Sequence, residues 1–226
     1  CRPMRGYILN GLCFPDNGAT RLELYGVLED GRPFLWAPPG FHLVGMLASG
    51  SERSALRVKS VKERRFRSLA GKPLDAVYFH NAEDQRAAPA SLPREALFEW
   101  DVDPVPRFLM EKKLFGGVAF EGAGQAGDDG VVRFALEPFR ATNFIPELRV
   151  LSLDIETGVE SGRLYSIAYH FTGGGAELRQ VDVLADKGGS GGPQLRYCET
   201  QQALIKNFSE LLRRENPQVL IGWNVV

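Results

Sequence analysis

From Gly6 to about Arg140 the apolar residues come in short runs or alternate with polar ones, and glycine or proline breaks the pattern every few positions. Short alternating runs with frequent breaks predict strands and turns in preference to long helices. Tyr7-Ile8-Leu9, Arg21-Leu22-Glu23-Leu24-Tyr25 and Ala76-Val77-Tyr78-Phe79 are such strands. Asp16-Asn17-Gly18 and Glu29-Asp30-Gly31 are expected to turn hairpins, because glycine accepts the positive φ that a tight turn requires. One helix is expected from Pro106 to Leu114, where a proline opens the segment and Phe108, Leu109 and Lys112 follow at helical spacing. Together these features predict a β-rich N-terminal domain.

Arg140-Ala141-Thr142-Asn143-Phe144-Ile145-Pro146 is a polar connector that ends in proline, and the pattern changes after it. The expected domains are therefore residues 1–145 and 146–226. Leu148 to Ile155 is apolar on both faces, the signature of a central strand covered on each side. Arg163 to Phe171 and Glu177 to Leu184 read as two more strands, joined through Thr172-Gly173-Gly174-Gly175 into an antiparallel meander. Lys187 to Pro193 is rich in glycine and predicts a mobile loop. Leu204, Ile205, Phe208, Leu211 and Leu212 recur on one side of a helix, and Arg213 and Arg214 occupy its last turn, where cations suit the helix dipole. Asn216-Pro217 stops that helix, and Val219 to Trp223 reads as one further strand. The order is three strands, a helix and a strand.

Apolar residues make up 44% and charged residues 24% of the 226, which fits a folded globular protein and excludes disordered, fibrous and membrane-spanning classes. No apolar run approaches the roughly 18 residues that span a bilayer, and the first residues lack a charged-then-apolar secretory pattern. Cys1, Cys13 and Cys198 are far apart and odd in number, which offers neither a disulfide framework nor a CxxC knuckle and points to a reducing cytoplasm. Cys1 without a start Met or a preceding signal is read as the edge of a trimmed piece, not as a lipid-modified terminus. The net charge of -1 attracts no nucleic acid globally, so any contact with DNA must rest on local basic patches.

Asp154-Ile155-Glu156-Thr157-Gly158 ends the first apolar strand of the second half. Residues two apart on a strand face the same side, about 6.6 Å apart, so both carboxylates are expected to point together while Ile155 faces the opposite layer. With hard oxygen ligands and neither Cys nor His nearby in sequence, Mg²⁺ or Mn²⁺ is the expected ion, not zinc. A pair of such ions about 4 Å apart can activate a water and stabilise the leaving oxygen of a phosphodiester. The tripeptide alone favours the simpler reading, that Asp154 and Glu156 begin a turn with solvated side chains, since such tripeptides are common.

Leu151-Ser152-Leu153-Asp154-Ile155-Glu156-Thr157, followed by Val219-Leu220-Ile221-Gly222-Trp223-Asn224, resembles the first and second exonuclease motifs of family B DNA polymerases, most of all bacterial ones. Phe98-Glu99-Trp100-Asp101-Val102 with Arg107-Phe108-Leu109-Met110-Glu111 is similar to the segment these polymerases carry ahead of the exonuclease. The resemblance implies an α+β chain in which a β-rich N-terminal domain precedes an incomplete ribonuclease H-like 3'-5' exonuclease domain. It also implies that Asp154 and Glu156 are catalytic metal ligands for Mg²⁺, with Thr157 and Asn224 touching the single-stranded 3' end. The parent would bind a DNA primer-template and deoxynucleoside triphosphates, with a sliding clamp as a possible partner, in the bacterial cytoplasm at the nucleoid. In the family, further acidic ligands and a general-base tyrosine follow the second motif, so this chain by itself is expected to bind metal weakly and to show no exonuclease. A stand-alone exonuclease and a non-catalytic nucleic-acid-binding module are the alternatives.

Other signals change the picture less. Arg57, Lys59, Lys62, Arg64, Arg65 and Arg67 form a basic run with Val58, Val61 and Phe66 interleaved. Arg64 and Arg65 are candidates for DNA phosphate contact, and a solvated strand face is the alternative. Gly122-Ala123-Gly124-Gln125-Ala126-Gly127 matches a dinucleotide fingerprint, but Asp128-Asp129-Gly130 follows where a pyrophosphate should sit, so a hairpin loop is expected. His42, His80 and His170 are isolated and lack metal-ligand spacing.

Overall fold

The computed structural model describes residues 3–185 and 192–223, and the side chains of Arg64 and Arg65 are outside that description. The chain divides into two compact units, Cys1–Pro146 and Glu147–Val226.

In the first unit β1 (Met4–Asp16), β2 (Ala19–Leu28) and β3 (Pro33–Trp36) form a meander, and β4 (Leu43–Ala48), β5 (Ser60–Arg67) and β6 (Pro73–Phe79) begin a second sheet. Helix α1 (Ala82–Ala87), β7 (Leu97–Phe98), α2 (Pro104–Lys112), β8 (Gly117–Phe120), β9 (Gln125–Ala126), β10 (Val132–Phe134) and β11 (Phe139–Ala141) complete it. One sheet has the order β11-β8-β1-β2-β3-β10-β9 and the other β5-β6-β4-β7. Asn17 (φ 48°) and Gly18 (φ 78°) turn β1 into β2 with two successive left-handed residues, the geometry that matches the twist of a two-residue hairpin. Gly122 to Gly127 leads through β9 into β10 as a hairpin with no helix after it, so the fingerprint has no place to hold a pyrophosphate.

Helix α2 begins two residues earlier than the spacing suggested. Asp103 caps it by accepting the Val105 N–H at 2.9 Å, and Pro104 takes the first helical position, where a missing N–H costs nothing. Its end at Lys112 is set by Lys113 in the left-handed conformation (φ 55°). The helix buries Phe108 against Trp36, which also packs on Phe120, and Phe120 stacks on Phe134 with ring centroids 3.9 Å apart. Each such aromatic pair adds about 0.5–1.5 kcal/mol to simple burial, which is how short strands hold a common core.

The second unit is a five-stranded sheet with one helix. It comprises β12 (Val150–Thr157), β13 (Leu164–Gly173), β14 (Ala176–Leu184), β15 (Leu195–Cys198), α3 (Gln201–Glu215) and β16 (Val219–Gly222), in the order β15-β14-β13-β12-β16. The meander β12-β13-β14 is antiparallel, and β15 and β16 add parallel strands at its edges. Gly173 (φ 122°), Gly174 (φ 63°) and Gly175 (φ 76°) make the β13–β14 turn, three positive φ values in a row that other residues adopt only under strain. Strand β15 was not expected from the sequence, and residues 187–191 of the glycine-rich segment lie outside the described residues. Thr200 caps α3 by accepting the Ala203 N–H at 3.2 Å, and Asn216 ends it in the left-handed region.

Candidate functional site

The helix decides which side of the second sheet is which. Leu151 and Leu153 of β12, Leu164, Ile167, Tyr169 and Phe171 of β13, and Leu204, Leu211 and Phe208 of α3 share one core. Side chains alternate along a strand, so Ser152, Asp154 and Glu156 lie on the other face of β12. The two acids thus share a face, as the spacing requires. They do not lie in a buried strand, however. The second half of β12 is exposed, from Asp154 through Thr157, and among the described residues α3 covers only one side of the sheet. A strand apolar on both faces is the expectation this corrects; β12 outruns β16, whose last pair is Gly222 with Leu153, so one edge of the Asp154–Thr157 segment has no described neighbour.

The residues directly across the ladder from the two carboxylates are small and uncharged. Asp154 stands opposite Ala168 and Glu156 opposite Ser166. The Asp154 Oδ1 accepts the N–H of Ile155 at 3.1 Å, and among the described residues neither acid has an ion pair. An open groove of about 560 Å³ runs from Ser152 and Asp154 across Ala168 to His170, Arg179 and Gln194. At its far side His170 Nε2 and Arg179 Nε both lie 3.0 Å from Glu177 Oε1. Hydrogen bonding first from His170 and then from Arg179 holds the Glu177 carboxyl below its ordinary pKa.

Two same-face carboxylates, with no ion-pair partner among the described residues, offer oxygen donors to a divalent ion. They fit a hard cation by donor type, although no group of three or more metal-ligating side chains occurs among the described residues. Thr157 is exposed and pairs with Leu164, one residue beyond a slip in the β12–β13 register. Asn224 lies outside the described residues. Arg64 and Arg65 fall where the β5–β6 register shifts between Lys62 and Phe66, and nearby Lys62 places its ammonium 4.7 Å from the centroid of the Tyr78 ring.

Comparison with known proteins finds a family match for the second part of the chain. Residues 128–226 match the family described as DNA polymerase family B, exonuclease domain. This segment, less than half of the chain, is similar to that family. Over 133 residues the chain is 32% identical to DNA polymerase II of Escherichia coli (strain K12), covering 58% of this chain and 16% of that protein. The family B DNA polymerase of the hyperthermophilic archaeon Pyrobaculum calidifontis has a similar fold, with a TM-score of 0.70 and 18% identity over 98% of this chain and 30% of that one. The chain therefore spans less than a third of either relative.

One polar network in the second unit was not anticipated. Asp182 of β14 is completely buried on the helix side, and Arg196 of β15 grips it with Nε at 2.9 Å and Nη2 at 2.5 Å. Arg196 Nη2 also donates to the Tyr169 hydroxyl at 3.0 Å, and burial, then the Asp182 charge, raise the Tyr169 pKa. A strand that carries Val181 and Val183 on one face and Asp182 on the other reads from sequence as valines inward and acid outward. The structure has the reverse, because Arg196 on the neighbouring strand supplies the charge the acid needs.

Proposed function

We propose that this chain is part of a DNA-directed DNA polymerase of family B, and that Asp154 and Glu156 belong to its 3'-5' exonuclease centre. The observation that carries the reading is the placement of both acids on one uncovered face, opposite Ala168 and Ser166, in a segment similar to the exonuclease family. The 32% identity to a bacterial DNA polymerase II supports polymerisation in the parent protein, with primer-template and deoxynucleoside triphosphates as its substrates. Asp154 and Glu156 would hold Mg²⁺, which when bound would polarise a phosphodiester and lower the pKa of a water. The carboxylates themselves fix where the scissile phosphate can sit. Thr157 and Asn224 are proposed to contact the single-stranded 3' end, and Arg64 and Arg65 a DNA phosphate.

Two carboxylates are fewer oxygen ligands than such an ion takes up, so the 226-residue chain is expected to bind Mn²⁺ weakly and to leave a 3'-labelled strand intact. Paramagnetic resonance of free Mn²⁺ against increasing protein tests the reading. Uptake that disappears in both Asp154→Ala and Glu156→Ala supports it; uptake unchanged in both would remove the metal from this face.

A further inference from the structure

The edge of the carboxylate face carries an aromatic side chain put there by an irregularity in the backbone. In the β12–β13 ladder Glu156 pairs with Ser166, but the next pair is Thr157 with Leu164, so Tyr165 is an extra residue on β13. Leu164 and Ile167 both pack in the helix-side core. Simple alternation would send two residues three apart to opposite faces. Both can point into one core only if the bulge turns Tyr165 and Ser166 together to the other side, the side of Asp154 and Glu156. Re-aiming a side chain beside a site is a recurrent use of such bulges.

The ring is held in place but remains accessible. Tyr165 is 45% exposed. A Cβ added to Gly158 would come within 3.1 Å of its Cε2, so the tight turn after β12 abuts the ring edge. That turn is closed by Gly158 N–H to Arg163 C=O at 2.9 Å and Gly162 N–H to Gly158 C=O at 2.8 Å. The Arg163 guanidinium lies 5.8 Å from the Tyr165 ring centroid. An exposed ring with a cation beside it, adjacent to carboxylates that themselves repel DNA, is the combination that holds single-stranded nucleic acid: the base stacks and the cation offsets the phosphate charge.

We propose that Tyr165, with Arg163, is a stacking platform for a base of the single-stranded 3' end, positioning the terminal phosphodiester over Asp154 and Glu156. This rests on the exonuclease reading of that face. Tyr165 is a positioning residue, and its effect is therefore readable in the absence of any metal.

The test uses the whole 226-residue chain without added metal and a single-stranded oligonucleotide with 2-aminopurine at its 3' end and a dye at its 5' end. Quenching of 2-aminopurine reports stacking and dye anisotropy reports binding. The wild type and Tyr165→Phe are expected to quench, while Tyr165→Ala loses quenching and binds at least about fivefold more weakly. Arg163→Ala should keep the quenching and lower the salt slope of binding by about 1. Full quenching and affinity in Tyr165→Ala, or a wild type that leaves 2-aminopurine bright, overturns the proposal. Mn²⁺ uptake by the same proteins separates the two readings: uptake lost in Asp154→Ala with Tyr165→Ala still quenching sinks the platform alone. Uptake indifferent to both acids sinks the exonuclease reading instead.

Discussion

Arg196→Ala and Asp182→Ala break the same ion pair, yet the structure predicts unequal costs. Asp182 is 0% exposed, whereas the Arg196 side chain is 46% exposed. Without Arg196, a fully buried carboxylate keeps only the Tyr169 hydroxyl, and an uncompensated buried charge of this kind costs about 3–5 kcal/mol. Without Asp182, the guanidinium turns to water, and the loss is about 1.5–3 kcal/mol for its charged hydrogen bonds. Arg196→Ala should therefore be the worse variant by about 2 kcal/mol, the difference between those two ranges. Urea unfolding followed by far-UV circular dichroism measures it. Amide exchange on β13 and β14 is needed as a local reading, because two compact units need not unfold together. Equal losses, or a larger loss for Asp182→Ala, would refute the view that Arg196 is what makes the buried acid tolerable. Tyr169→Phe in the same assay should lose about 1.5 kcal/mol, since its hydroxyl accepts from the charged Arg196 guanidinium.

Further outcomes follow from other parts of the chain. Asp154→Ala and Glu156→Ala should each change unfolding free energy by less than about 0.5 kcal/mol, since both side chains are exposed, while removing Mn²⁺ uptake. Burial, and then the Asp103 carboxylate, push the Cys13 thiol up to about 11. Its alkylation, followed by peptide mapping, should keep rising roughly tenfold per pH unit from pH 8 to 10, where an unperturbed thiol of pKa about 8.5 would already level off. Gly26→Ala would put a Cβ 2.1 Å from the Tyr7 carbonyl oxygen, and the backbone there cannot yield cheaply, so a loss of about 2–3 kcal/mol in the first unit is expected from urea unfolding. Thr200→Ala should cost about 1 kcal/mol by removing the α3 cap, and exchange of the α3 amides would localise the loss.

Long periodic segments and turn chemistry were readable in advance. Helix α3 announced itself through Leu204, Phe208 and Leu211 on one side, and Asn17-Gly18 through the positive φ that a short hairpin needs. The Asp154–Glu156 spacing placed both acids on one face, because a strand's period of two leaves no other choice until a bulge intervenes. What could not be read depended on neighbours distant in sequence. Strand β15 is four residues long and exists because it pairs with β14. Asp182 is inward-facing only because Arg196 arrives beside it from 14 residues away. Tyr165 looked like an ordinary strand residue, and only the Glu156–Thr157 register slip brings it to the acid face. The exposure of the second half of β12 was likewise hidden, since Leu151 and Leu153 near its start carry the apolar signal for the whole strand.

Paramagnetic broadening of amide signals by Mn²⁺ would locate the ion within the chain. The account predicts that, as Mn²⁺ is added, residues 153–157 together with Ser166 and Ala168 broaden before those of α3. Broadening centred elsewhere, or none around Asp154 and Glu156 at millimolar Mn²⁺, would contradict a divalent-ion site on that face.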